Sequence, residues 1–144
     1  MTMPGLDAEQ EAFLTEHSRV FLLMTRADGS PTGYPMLRLL ADEAIEFSTY
    51  RRSAKVANAR RDPRLCCVVL PLPDRDETRA LVIQGTAEVV EGAIGATARP
   101  PGAAAPVDAP DVPEEVAARA QDRMRSGKRV VLRLTPTSAH FVKA

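Results

Sequence analysis

The apolar residues of this chain gather into short runs of strand length, each closed by turn residues. Val20 to Thr25 is one such run, and the Ala27-Asp28-Gly29-Ser30-Pro31 segment after it carries the Asp-Gly pair that favours a tight hairpin. A second run, Thr32 to Leu40, has Pro35 in its interior. Proline has no N–H for a ladder bond, so Pro35 is expected at an edge, a bulge or a ligand. Ala41-Asp42-Glu43 reads as the next turn and Ile45 to Ser48 as a third strand, so the first three strands are expected to form an antiparallel meander. Leu65 to Leu70, closed by Pro71 and Pro73, and Ala80 to Glu91 give two more strands. Gly85 inside the second of these marks a bulge or a close backbone approach. Lys128 to Leu134 is the last full strand; Pro136 interrupts it and Ala139 to Val142 is placed to continue it.

Helical signals are fewer. Asp7 followed by Gln10 is a capping-box pattern, with Phe13 and Leu14 as the buried side and an end near His17. Ser53 can cap a short helix that Asp62-Pro63 stops, and Pro113 suits the first turn of a helix running to Arg125, ended by Ser126-Gly127. Residues 92–113 are rich in Gly, Ala and Pro and too poor in large apolar side chains to offset their ordering entropy, which predicts a flexible loop. The pattern as a whole predicts a mainly β protein, a six-stranded antiparallel barrel with peripheral α-helices.

Composition narrows this further. A chain of 144 residues is expected to be a single domain, 1–144, that buries roughly two-thirds of its unfolded surface. Zero net charge and a pI near 6.7 argue against nucleic acid as a partner. The N-terminus lacks a signal-peptide pattern and no apolar run nears the roughly 20 residues of a membrane span, so a cytoplasmic protein with no membrane partner is expected. Cys66 and Cys67 are neighbours in a strand and point to opposite faces, so no disulfide between them and no reactive role are expected. His17 and His140 are remote from each other and from any cluster of acids or cysteines, which gives no metal site.

Charge is balanced overall but not locally. Between Phe47 and Arg64, Arg51, Arg52, Lys55, Arg60, Arg61 and Arg64 stand against Asp62 alone, a net +5 in a neutral chain. These cations flank a helix start, whose exposed N–H groups and dipole already favour an anion. Ser48 and Thr49 supply hydroxyls at a strand end, Ser53 a cap and Lys55 a compact cation, a set able to enclose a phosphate monoester. Lys55 and Asn58 share one helix face, away from Val56 and Ala59. Arg38, embedded in the apolar M-L-R-L-L segment, calls for an anionic partner.

These residues also carry a resemblance. D-G-S-P-T-G-Y-P along the second strand, F-S-T with S-x-K, then K-x-x-N-x-R-R-D-P-R and I-Q-G-T-A-E-V-V resemble the pyridoxamine 5'-phosphate oxidase-like FMN-binding split-barrel superfamily, most of all its deazaflavin (coenzyme F-420) dependent reductases. The resemblance implies a split β-barrel, a homodimer with the cofactor in its groove, and an oxidoreductase acting on a small-molecule substrate. It puts Arg38, Ser48, Thr49, Ser53 and Lys55 at phosphate-contacting positions, and Asn58 and Arg60 beside them. Ala54 stands where the oxidases proper have arginine, and the C-terminal substrate motif of those oxidases is absent, so vitamin B6 oxidation is disfavoured. F-420 is favoured over FMN because its anionic tail would use Arg51, Arg52, Arg60 and Arg61. No catalytic side chain is named, since either ring carries the hydride itself. The alternative is a non-catalytic carrier of flavin, haem or tetrapyrrole.

Overall fold

The computed structural model describes residues 2–73, 76–91 and 128–143. Among the described residues there are two helices and seven strands: α1 (Ala8–Glu16), β1 (Arg19–Thr25), β2 (Pro31–Leu37), β3 (Leu39–Ala41), β4 (Ala44–Tyr50), α2 (Ala54–Arg61), β5 (Arg64–Val69), β6 (Arg79–Val90) and β7 (Arg129–Lys143). The expected loop at 92–113 and the helix from Pro113 to Arg125 lie outside the described residues.

The strands form one antiparallel sheet in the order β2-β1-β5-β6-β7-β4-β3, curled into a half-barrel. This corrects two expectations. The described residues form seven strands rather than six, and the first three do not form a meander. The apolar run from Thr32 to Leu40 splits at Arg38, whose side chain turns inward and is only 6% exposed. Before the break β2 pairs with β1 at one edge of the sheet; after it β3 pairs with β4 at the other. The chain therefore crosses the open side of the barrel at Arg38, and β5 pairs with β1 instead of β4. Pro35 sits on the edge strand β2 opposite Phe21, where its missing N–H costs no ladder bond.

The last strand also differs from expectation. β7 runs unbroken through Pro136, because a bulge absorbs it: Gln84 pairs with Ser138 while Gly85 pairs with Pro136, leaving Thr137 over. Gly85 is required there, since a Cβ would lie 2.3 Å from the Thr135 carbonyl oxygen. At the β1–β2 hairpin Gly29 takes φ 86°, the left-handed region that glycine enters at least cost.

Alternation places the core. Val20, Leu22 and Met24 of β1 point inward with Ile45 and Phe47 of β4, and β5, β6 and β7 supply Cys67, Ile83 and Leu132. Helix α1 begins with a full capping box, Gln10 N–H donating to Asp7 at 2.8 Å and Asp7 N–H to Gln10 at 2.9 Å. It buries Phe13 and Leu14. Helix α2 is capped by Ser53 and packs Val56 and Ala59 into the barrel.

Candidate functional site

The site grows from the end of β4. Ser48 and Tyr50 face outward on this strand, while Thr49 between them faces in and is 3% exposed. A tight turn follows, in which Ser53 N–H donates to the Tyr50 carbonyl at 3.0 Å and Arg51 N–H to that of Lys128 at 2.9 Å. The turn aims the α2 N-terminus back at the strand end. The Ser53 hydroxyl accepts from Val56 N–H at 3.4 Å and lies 3.2 Å from the Thr49 hydroxyl. The Ala54 and Lys55 amides head the helix, where no preceding turn supplies carbonyls. Lys55 Nζ sits 4.7 Å above the centroid of the Tyr34 ring, which reaches over from edge strand β2. Among the described residues the Lys55 ammonium has that ring beside it and no carboxylate.

The arginines divide differently from the sequence expectation. Arg51 and Arg60 both contact Oε1 of Glu91, just past β6. Arg61 donates to the Asn58 side-chain oxygen at 3.1 Å, and that asparagine is buried, so it braces the helix end instead of sharing an exposed face with Lys55. Arg64 grips Asp62 at 2.8 Å and holds its carboxyl down at about 2. Arg52 is exposed.

Arg38 does not join this group. Its Nη2 donates to the carbonyls of Leu14 at 2.8 Å, Thr15 at 3.1 Å and His17 at 3.3 Å. The negative partner that a buried arginine calls for is thus the carbonyl end of α1, where orphan acceptors and the helix dipole meet. The residue expected to serve a phosphate reaches, through its side chain, the carbonyls at the C-terminal end of α1.

Two side chains at the site were not found from sequence. Arg129 donates from Nε to the Ser48 hydroxyl at 3.0 Å and from Nη2 to the Ser48 carbonyl at 3.3 Å, and its guanidinium lies 4.5 Å from the Tyr50 ring centroid. Glu91 is the second. Both depend on which strands neighbour β4 and α2; the Tyr50–Arg129 pairing joins residues far apart in the chain.

On the outer face of β1, Phe21 and Leu23 are exposed, between Pro35 and Gly33 of β2 and Val68 and Cys66 of β5. A groove of about 470 Å³ opens at one end of this face, lined by Arg19, Phe21, Pro35, Leu37 and Leu70 among others. Burial raises both thiols, Cys67 to about 12, so neither is poised as a nucleophile. Among the described residues no three His, Cys, Asp or Glu side chains cluster as metal ligands, and no helix is long and apolar enough to cross a membrane.

An antiparallel half-barrel with a capped helix start at its rim defines a class of protein, and the comparisons place the chain within it. Residues 6–143 match the pyridoxamine 5'-phosphate oxidase family, and the chain belongs to that family. No curated protein matches the sequence. Among solved structures, an F-420 reductase shares 20% identity at a TM-score of 0.65, over 94% of this chain and 98% of its own. A conserved hypothetical protein from Mycobacterium tuberculosis shares 24% at 0.67, over 98% and 86%. The haem storage protein of Vibrio cholerae shares 16% at 0.58, over 96% and 94%. At these identities the likeness is one of fold.

Proposed function

We propose that this protein is a cofactor-dependent oxidoreductase that transfers hydride between F-420 or FMN and a small planar organic substrate, in a groove between two copies of the chain. The observation that carries the reading is the start of α2. Two hydroxyls 3.2 Å apart stand at a helix N-terminus, and the ammonium of Lys55 in its first turn lies over the Tyr34 ring with, among the described residues, no carboxylate beside it. Each element suits a phosphate, and together they fit the terminal phosphate of FMN or the phosphodiester of F-420. Ser53, Thr49 and Lys55 would hold that group, with Ser48 and its partner Arg129 on the outward side of the same strand end. The bound ring supplies the hydride chemistry; the chain supplies binding and orientation.

F-420 is favoured over FMN because Arg51 and Arg60 extend the positive surface beyond the phosphate position. The exposed Phe21 and Leu23, with Cys66 and Val68 beside them, suit a homodimer that covers this apolar strip. Purified protein is expected to quench F-420 fluorescence or to carry a yellow flavin, and Lys55→Ala to weaken binding at least tenfold by titration. Absence of binding to either cofactor at micromolar concentration removes the reading. The carrier alternative gains support from the shared fold of the Vibrio haem storage protein. It predicts cofactor binding with no turnover on quinones, nitro compounds or tetrapyrroles.

A further inference from the structure

Arg51 lies in the turn between β4 and α2, and Arg60 in the last turn of α2, yet both reach Oε1 of Glu91. Two guanidinium groups from separate elements that converge on one carboxylate oxygen make a carboxylate-binding site, and here its occupant belongs to the chain. Arg61 of α2 and Arg64 of β5 find partners close by in sequence, the Asn58 amide oxygen and the Asp62 carboxylate. Glu91 instead comes from 40 and 31 residues away in sequence. Its side chain is 50% exposed and that of Arg60 55%, so the contact is screened by water and exchanges at little cost.

We propose that Arg51 and Arg60 form a second anion subsite and that Glu91 is its internal competitor, displaced when a carboxylate or phosphodiester on an extended ligand tail arrives. The proposal rests on reading the α2 start as a phosphate cradle, and it deepens that reading. Lys55 and Arg60 are five residues apart on one helix, roughly 8 Å along its axis and about 140° around it, so a ligand that fills both subsites wraps the helix and carries two anionic groups more than about 8 Å apart. A ligand ending in a phosphate monoester fills only the first. Glu91 then discriminates: it shields the arginines from small anions and yields to one already anchored at Lys55, for which the second contact is effectively intramolecular.

The test uses inorganic pyrophosphate, which has no ring, titrated at low salt while the side-chain Nε–Hε resonances of Arg51 and Arg60 are followed by NMR. Glu91→Gln is expected to tighten binding at these resonances at least about threefold, since removing one negative charge roughly 5 Å away in water gives about fourfold for each unit of charge on the ligand. The gain is expected to fade near 0.5 M salt. In the triple variant Glu91→Gln, Arg51→Ala, Arg60→Ala the gain is expected to vanish, read by calorimetry. Unchanged or weaker binding in Glu91→Gln overturns the proposal, as does a gain that survives loss of the arginines. Failure of the cradle reading is separate, since it appears as cofactor binding indifferent to Lys55→Ala.

Discussion

Both described helices have arginine at one end, and the two ends use it in opposite ways. At the C-terminus of α1 the polar side chains are buried and bonded to backbone: Arg38 donates to three carbonyls and His17 Nδ1 accepts from the Leu72 N–H at 3.1 Å. At α2 the arginines contact other side chains, Glu91, Asn58 and Asp62, and most of these contacts face water. A backbone partner is fixed by the fold, so a side chain that takes one is committed to architecture. A side-chain partner can be exchanged for a ligand of the same charge. Arginine is present at both ends; what separates scaffold from candidate site is the identity of the partner.

The largest expected effect tests this directly. Arg38→Ala leaves α1 carbonyls buried without a donor and is expected to cost about 3 kcal/mol in urea unfolding, in the range for breaking a buried charged network. Lys55→Ala removes a cation–π contact at the rim and is expected to cost no more than about 1 kcal/mol. Its cofactor affinity is the quantity expected to drop. Equal stability losses in the two variants would erase the distinction.

The same contrast explains what was legible in the sequence. Caps and turns were, because their chemistry is local: the Asp7–Gln10 box, Gly29 at the hairpin, Ser53 and Asp62 at the two ends of α2. Strand positions were legible as apolar runs, but their neighbours were not. Nothing local says that β2 and β3 lie at opposite edges of the sheet, because the break at Arg38 depends on α1 lying within reach of that side chain. For Arg38 the sequence argument, that a buried arginine calls for a negative partner, was sound, but a helix end satisfies it as well as a phosphate does. Pro136 read as an interruption because the bulge that accommodates it requires Gly85, fifty-one positions earlier on the neighbouring strand. Arg129 and Glu91 escaped for the same reason.

Ser53 sharpens the comparison at smaller scale, since it serves both scaffold and site. As the N-cap of α2 it satisfies Val56 N–H, and Ser53→Ala is expected to cost about 1 kcal/mol. Glycine caps nearly as well as serine, so Ser53→Gly is expected to cost only a few tenths of a kcal/mol while still deleting the hydroxyl that faces Thr49. If the hydroxyl touches the ligand, both variants lose affinity to a similar degree and differ in stability. If affinity follows stability instead, Ser53 is scaffold only.

Glu46 is the case between the two ends, as buried as Arg38 but without the three short carbonyl contacts that Arg38 Nη2 makes. It is 2% exposed on β4, Oε1 has no hydrogen-bond partner, and Oε2 lies 3.7 Å from Arg133 of β7, whose other neighbour across the sheet is Glu88 of β6. Burial raises its carboxyl above the ordinary glutamate value, and Arg133 offsets only part of that. A carboxyl that holds its proton more tightly folded than unfolded adds stability at low pH, and this is lost as pH rises through the raised value. Above that window the folded chain carries a buried charge with one arginine at long range, a net cost. Glu46→Gln keeps the shape without the charge and is expected to stabilise the protein by about 1 kcal/mol at pH 8. The gain should shrink as pH falls through the raised value, where folded Glu46 takes up its proton, and be gone below the ordinary value of 4.5. Thermal melts of both proteins across this range measure it. A gain independent of pH would locate the benefit in packing, and a loss at pH 8 would mean that the Arg133 contact outweighs the cost of burial.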